Sequence, residues 1–388
     1  MKKLIFTLTA FILTANLLCT GLPAEAAAQG INVPVPSQEE IKAYTQAHPF
    51  DIYEDTVYDT APSQSEPGVL SESSKTRALN TINVMRYISG LDEVVIDEAY
   101  QKQDEAAVWL FDLNHGMAHS PQKPDGVSDE LYQTAQNGAN GSDIGFGYDS
   151  LPDAVLTGWM WDGGVSTLGH RRWCQNPGFT RTGFGYQNGY AAMYVTGQGA
   201  YNSKGITGIS WPAQNMPVEY FSAGVDWSII MDTPLNSSDI TVKLERTTDG
   251  RIWNFSETAS DGIFIVDNTD YLGEGCIIFN PDDITDYADG DNYTVTITGL
   301  SEPVSYTVDF FSLDSVQETE TETSDVIVYM PGDVTQDNEI SVADVILLQK
   351  YLLGMESLNY EQYLAADMTD DDLVNIYDLI ALKKYLLD

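Results

Sequence analysis

Residues 333–354, DVTQDNEISVADVILLQKYLLG, return as residues 367–388, DMTDDDLVNIYDLIALKKYLLD. The offset is 34 residues, and it holds through an acidic stretch and the apolar segment behind it. In each copy, oxygen-bearing side chains stand at positions 1, 3, 5, 9 and 12. They are Asp333, Thr335, Asp337, Ser341 and Asp344, then Asp367, Thr369, Asp371, Asn375 and Asp378. Alternate positions on a tight loop converge on one centre, as a hard divalent cation with six to eight oxygen ligands requires. Position 7 offers a backbone carbonyl, from Glu339 and Leu373. Position 6, where a sharp turn favours glycine, is Asn338 and Asp372, two residue types that tolerate a left-handed backbone.

Behind each loop, apolar residues recur at helical spacing: Val345, Leu348 and Leu352, then Leu379, Leu382 and Leu386. No incoming helix precedes Asp333; an acidic, Thr-rich linker at 314–330 does. The doubled loops, Asp at position 12 and the Lys-Tyr-Leu-Leu helix ends resemble a type I dockerin over 331–388. That resemblance implies a small α-helical module of two half EF-hands, two calcium ions, and a cohesin module of a scaffolding protein as partner. Positions 10 and 11, here Val342-Ala343 and Ile376-Tyr377, are where the family reads its partner, usually through Ser or Thr.

Upstream, Lys2 and Lys3 precede an apolar run and small residues, the build of a signal peptide over 1–28. Beyond it no apolar run is long enough to span a bilayer, so a secreted product without a transmembrane anchor is expected. A net charge of −40 disfavours nucleic acid as a partner. Beyond Cys19 in the leader only Cys174 and Cys276 remain, too few for a disulfide scaffold, and two buried free thiols are expected.

Residues 29–71 read as an N-terminal arm carrying one short helix, opened by the capping box Ser37-Gln38-Glu39-Glu40. Leu79, Ile82, Met85 and Ile88 then keep helical spacing up to Gly90, and a second helix through Ala107, Leu110 and Phe111 ends near Gly116. His115 and His119 stand four apart, but Gly116 and Ser120-Pro121 predict that the helix stops between them.

The segments LNTINVMRYISGL, AHSP, NGAN, AVLTGWMWD and LGHRRWCQNPGFTRTGFGY follow one another between residues 79 and 186. In that order they resemble the CAP (SCP-like) superfamily, over 72–200. The resemblance implies an α/β/α sandwich with a cleft lined by two histidines, which fall at His119 and His170, and an acid near Asp162. A second acid belongs in a Gly-Glu-Asn motif, and this chain has Gly138-Ala139-Asn140. The cleft is expected to recognise peptide, lipid or glycan. The alternative is a secreted hydrolase acting on polysaccharide or protein, centred on His119, His170 and Asp162. Trp159 is expected in the core, while Trp161 and Trp173 suit either core or cleft.

From 205 to 313 the period changes to two. VDWSIIM, DITVKLER, GIFIV, GCIIFNP, NYTVTITGL and VSYTVDFF predict an antiparallel β-sandwich, read as a spacer behind the cleft module. The whole chain is therefore expected to be multidomain: two cargo domains and a docking tail.

Overall fold

A computed structural model of the chain describes residues 30–198, 208–269, 275–314, 330–353, 355–356, 358, 360–369 and 374–387. The leader, most of the 314–330 linker, and the loop positions Asp371 and Leu373 lie outside the described residues. The chain divides into two compact units, 1–315 and 316–388.

The first unit opens with helix α1 (Gln38–Ala47), whose capping box is formed by Ser37 and Glu40. A short hairpin of β1 (Tyr58–Thr60) and β2 (Val69–Leu70) leads into α2 (Glu72–Ile88), capped by Ser71. After β3 (Val95–Ile96), helix α3 (Glu98–Asn114) ends where His115 turns left-handed, so His115 and His119 share no helix face. Then come α4 (Asp129–Gly141), β4 (Ser142–Phe146), the turn α5 (Leu151–Asp153) and a π-helical segment, Ala154–Met160. Helix α6 (Gly169–Cys174) precedes β5 (Arg181–Thr182), β6 (Phe184–Gln187) and β7 (Tyr190–Tyr194).

Strands β4, β7 and β6 form an antiparallel sheet, with β7 central. Successive side chains of a strand point to opposite faces. Accordingly Tyr190 and Ala192 join a cluster with Val108 and Phe111 of α3, while Ala191 and Met193 join the cluster containing α2 and the π segment. Helices thus cover both faces. Gly185 lets α3 lie close, because a Cβ there would meet the Asp104 carbonyl oxygen at 2.2 Å.

The chain continues through β8 (Gly208–Trp211), β9 (Asn215–Pro217), β10 (Trp227–Met231), β11 (Thr241–Arg246) and β12 (Arg251–Ser256). It then adds β13 (Gly262–Asp267), β14 (Gly275–Pro281), β15 (Asn292–Thr298) and β16 (Val304–Phe311). One sheet runs β13-β14-β10-β8 and the other β12-β11-β15-β16-β9, with only β9 parallel to its neighbour. Trp227 of the first sheet meets Tyr293 and Phe310 of the second edge-on, at 5.5 and 6.1 Å between ring centroids. Tyr293, Val295 and Ile297 are buried on one face of β15. The same apolar core takes in Ile82, Trp159 and Phe184 with both sheets, so the helical half and the sheet half are packed together. Trp159 is buried there, and Trp161 packs at its edge.

In the second unit, α7 (Val342–Leu352), α8 (Tyr360–Ala366) and α9 (Ile376–Tyr385) enclose a small core. Val345 and Leu348 of α7 meet Leu379 and Leu382 of α9, each pair the 34-residue counterpart of the other.

Candidate functional site

Two places gather the residues singled out in the sequence. The first is the pair of loops before α7 and α9. Asp344 is buried as residue N3 of α7; its Oδ1 accepts from the N–H and hydroxyl of Thr335, both at 2.8 Å, and its Oδ2 from the N–H of Ser341 at 2.7 Å. Asp378 repeats this on α9, accepting from Thr369 N–H and hydroxyl at 3.0 and 2.8 Å and from Asn375 N–H at 2.7 Å. Burial raises the Asp344 carboxyl, but the bonds from Thr335 and Ser341 outweigh it and hold the group below the usual carboxylate range. Asp333 bridges the N–H groups of Asp337 and Asn338, at 3.0 and 2.8 Å. Asn338 is left-handed, at φ 67°, and so is Gln336, at φ 61°.

The first loop therefore offers three carboxylates, two hydroxyl-bearing residues and a carbonyl within twelve positions. No basic side chain pairs with Asp333, Asp337 or Asp344 among the described residues. That donor set suits calcium. Among the described residues no three His, Cys, Asp or Glu side chains stand together as a metal-holding group, since the oxygens of Asp333 and Asp344 are turned onto loop amides. Beside each loop, apolar residues face solvent: Val342 is 67% exposed and Tyr377 67%, with Ala343 and Ile376 also exposed.

The second place is a cleft of about 340 Å³ in the first unit, lined by His119, Asn140, Asp143, His170, Trp173 and Thr196 among others. His119 comes from the loop after α3, and its Nδ1 lies 2.7 Å from the carbonyl of Ala139. A carbonyl only accepts, so the Nδ1 of His119 carries a proton. The methyl of Ala139 is itself buried between α3 and the sheet, in the cluster with Val108 and Phe111.

His170 lies in α6. Asp162, buried and left-handed at φ 53°, accepts from His170 Nδ1 at 2.7 Å through Oδ1. Its Oδ2 accepts the N–H groups of His170 and Arg171 at 3.0 and 3.3 Å. Burial works against the imidazolium, yet the hydrogen bond to Asp162 prevails and carries His170 up to about 9. Asp162 spends both oxygens on α6 and does not line the cleft.

The sequence reading missed Asp143. Its side chain lines the cleft beside His170, and its Oδ2 accepts from the Cys174 thiol at 3.8 Å. Burial pushes the Asp143 carboxyl well above its ordinary range and does the same to the Cys174 thiol. Cys174 and Cys276 are both buried, and neither is in a disulfide among the described residues. Ser142, also at the cleft, donates its hydroxyl to Asp104 at 2.6 Å rather than to either histidine. The arrangement offers a ligand the outward ring nitrogens of two histidines whose Nδ1 atoms are held, with the buried Asp143 carboxyl beside His170.

The 316–388 unit is thus a docking-type module, with two acid-capped loops leading two helices onto one core. Residues 331–387 match the model of the Dockerin type I domain, and the chain carries a type I dockerin domain there. Such domains bind calcium and pair with cohesins, which makes this chain a component of a cohesin–dockerin assembly. No curated protein matches the sequence.

Among solved structures, an extracellular protein containing a SCP domain from Bacillus anthracis str. Ames is 18% identical, with 32% of this chain and 41% of that chain covered and a TM-score of 0.25. The archaellum periplasmic stator protein complex FlaF and FlaG from Sulfolobus acidocaldarius is 16% identical, over 24% of this chain and 85% of that one, at a TM-score of 0.18. Likenesses this slight fix neither a fold nor an activity. No helix among the described residues is long and apolar enough to cross a membrane.

Proposed function

We propose that this protein is a secreted, extracellular component of a cellulosome-like assembly, in which residues 331–388 plug a cargo of two domains into a scaffold-borne cohesin. The carrying observation is the doubled bond pattern, in which Asp344 and Asp378 close their loops on matching partners 34 residues apart. In this reading the module is a pair of half EF-hands holding two calcium ions. Asp333, Thr335, Asp337, the Glu339 carbonyl, Ser341 and Asp344 take one ion; Asp367, Thr369, Asp371, the Leu373 carbonyl, Asn375 and Asp378 take the other. Calcium supplies the charge that the clustered carboxylates lack, and Val342, Ala343, Ile376 and Tyr377 meet the cohesin.

The cargo reads as a CAP-like α/β/α module over 72–200 and a β-sandwich over 205–313, whose cleft recognises an extracellular peptide, lipid or glycan. Two histidines held by their Nδ1 atoms support recognition. One observation favours the hydrolase alternative, the buried Asp143 carboxyl beside His170, which could donate a proton to a leaving group.

Isothermal titration of the full chain with calcium, then with a panel of type I cohesins with and without chelator, tests the tail. Two calcium ions and chelator-sensitive binding are expected; binding that survives chelator overturns the loop reading. For the cargo, His119→Ala, His170→Ala and Asp143→Asn are compared on arrays of glycans and peptides. Turnover lost in all three folded variants would convert the reading to a hydrolase.

A further inference from the structure

The sheet half of the first unit, which the sequence presents as a spacer, reaches into the cleft through one side chain. Arg171 follows His170 in α6 and is fully buried. Its Nε donates to the carbonyl of Met160 at 2.7 Å and its Nη2 to that of Trp161 at 2.8 Å, the last two residues before Asp162. Its Nη1 turns the other way, to the carbonyl of Asp226 at 2.7 Å and the hydroxyl of Ser228 on β10 at 2.9 Å. Burial lowers this guanidinium to about 10, so it stays protonated at neutral pH.

A buried guanidinium is costly unless its donors are met, and these four bonds meet four of its five N–H groups with three carbonyls and a hydroxyl rather than a carboxylate. Two of the bonds fall on the segment that must hold Asp162 left-handed while both its oxygens reach α6, and the other two tie that segment to the sheet half. Arg172, the next residue, ties the same helix to another part of the same sheet: it pairs with Asp267 at 2.6 Å and donates to the Thr269 carbonyl at 2.9 Å. Neither of these two bonds falls on Met160, Trp161 or Asp162, and the link serves as an internal control.

We propose that Arg171 is a positioning residue of the cleft: it fastens strand β10 to the Met160–Trp161 carbonyls and so fixes where Asp162 presents its carboxylate to His170, which makes the sheet half part of the site. The inference takes from the proposed function only that His170 belongs to a working cleft. Its test reads His170 without ligand, so the two can fail separately.

The chain has four histidines, few enough to follow each by NMR of the full chain with isotope-labelled histidine and to assign His170 with His170→Gln. Asp162 and Asp143 are the two carboxyl groups acting on His170. Three variants are titrated. Ser228→Val lies on the sheet, removes the hydroxyl acceptor and crowds Nη1. Arg171→Lys keeps the charge but loses the fork. Asp267→Asn breaks the Arg172 pair.

The wild-type midpoint is expected at about 9. Ser228→Val should lower it by about one unit, toward the ordinary histidine range, and Arg171→Lys by more. Asp267→Asn should lower the melting temperature and leave the His170 midpoint where it was. If Ser228→Val leaves the midpoint unchanged, Arg171 is a core contact only and the proposal fails, whether or not Arg171→Lys folds. It fails equally if Asp267→Asn moves His170 as far as Ser228→Val does.

Discussion

Replacing His170 by Gln should change how the stability of the first unit depends on pH. In the folded chain His170 titrates near 9 instead of 6.5, because Asp162 holds its Nδ1 at 2.7 Å. A folded pKa above the unfolded one contributes stability that is fully present below pH 6.5 and is lost as pH rises through 9. At 1.36 kcal/mol per unit the shift corresponds to about 3 kcal/mol, which screening at a ring 30% exposed reduces to about 1–3 kcal/mol. Gln cannot be charged, so the wild-type advantage over the variant should shrink by that amount between pH 6.5 and 9.

All seven tryptophans, from Trp109 to Trp253, lie in the first unit. Tryptophan fluorescence during urea unfolding of the intact protein therefore reports that unit without cutting the chain. Asp104 is also raised by burial and weakens the fold as pH climbs, but it does so in both proteins and largely cancels in the difference; Asp143 faces His170 and does not, so the comparison is made in an Asp143→Asn background. A wild-type advantage that stays flat from pH 6 to 10 would refute the ion pair as an energetic link, leaving Asp162 as a cap for α6 alone.

Asp344→Ala should lower calcium stoichiometry from two to one, because it strips the first loop of a ligand and of the acceptor for Thr335 and Ser341; calorimetry of the full chain reads this directly. Val342→Asp and Tyr377→Asp should leave calcium binding intact and weaken cohesin binding tenfold or more, about 1.4 kcal/mol. The two losses should be unequal, because Val342-Ala343 and Ile376-Tyr377 differ in bulk; equal losses in titrations would contradict this. Trp227→Ala should cost the first unit about 3–5 kcal/mol, seen as a shifted urea midpoint, since it empties the contact between the two sheets.

The loops were legible because a repeat carries its own control: a residue type that recurs at the same place in two copies is hard to assign to solvation alone. The helix ends were legible for local reasons, as in the stop at His115. Asp143 was not, because nothing local marks it. Its position follows from pairing with Met193 in the sheet, which puts both on the face opposite Ile144 and Ala192. A shift of one residue in that register would have sent the carboxyl toward α3. Arg171 was equally hidden, since its partners on the sheet lie 55 and 57 residues away.

The position of Ala139 bears on what the cleft can do. Read against the resemblance, alanine there is a missing acid. In the fold, its side chain is enclosed by Val108 and Phe111, and only its carbonyl reaches a cleft residue, His119. A glutamate at 139 would have to bury a carboxylate among those side chains or push α4 away from α3, both costly. The acid available to the cleft therefore comes from the strand, as Asp143, shorter and deeper. Burial raises that carboxyl above its ordinary range while the neighbouring His170 works against the rise, so what the cleft offers a ligand there is set by the two groups together.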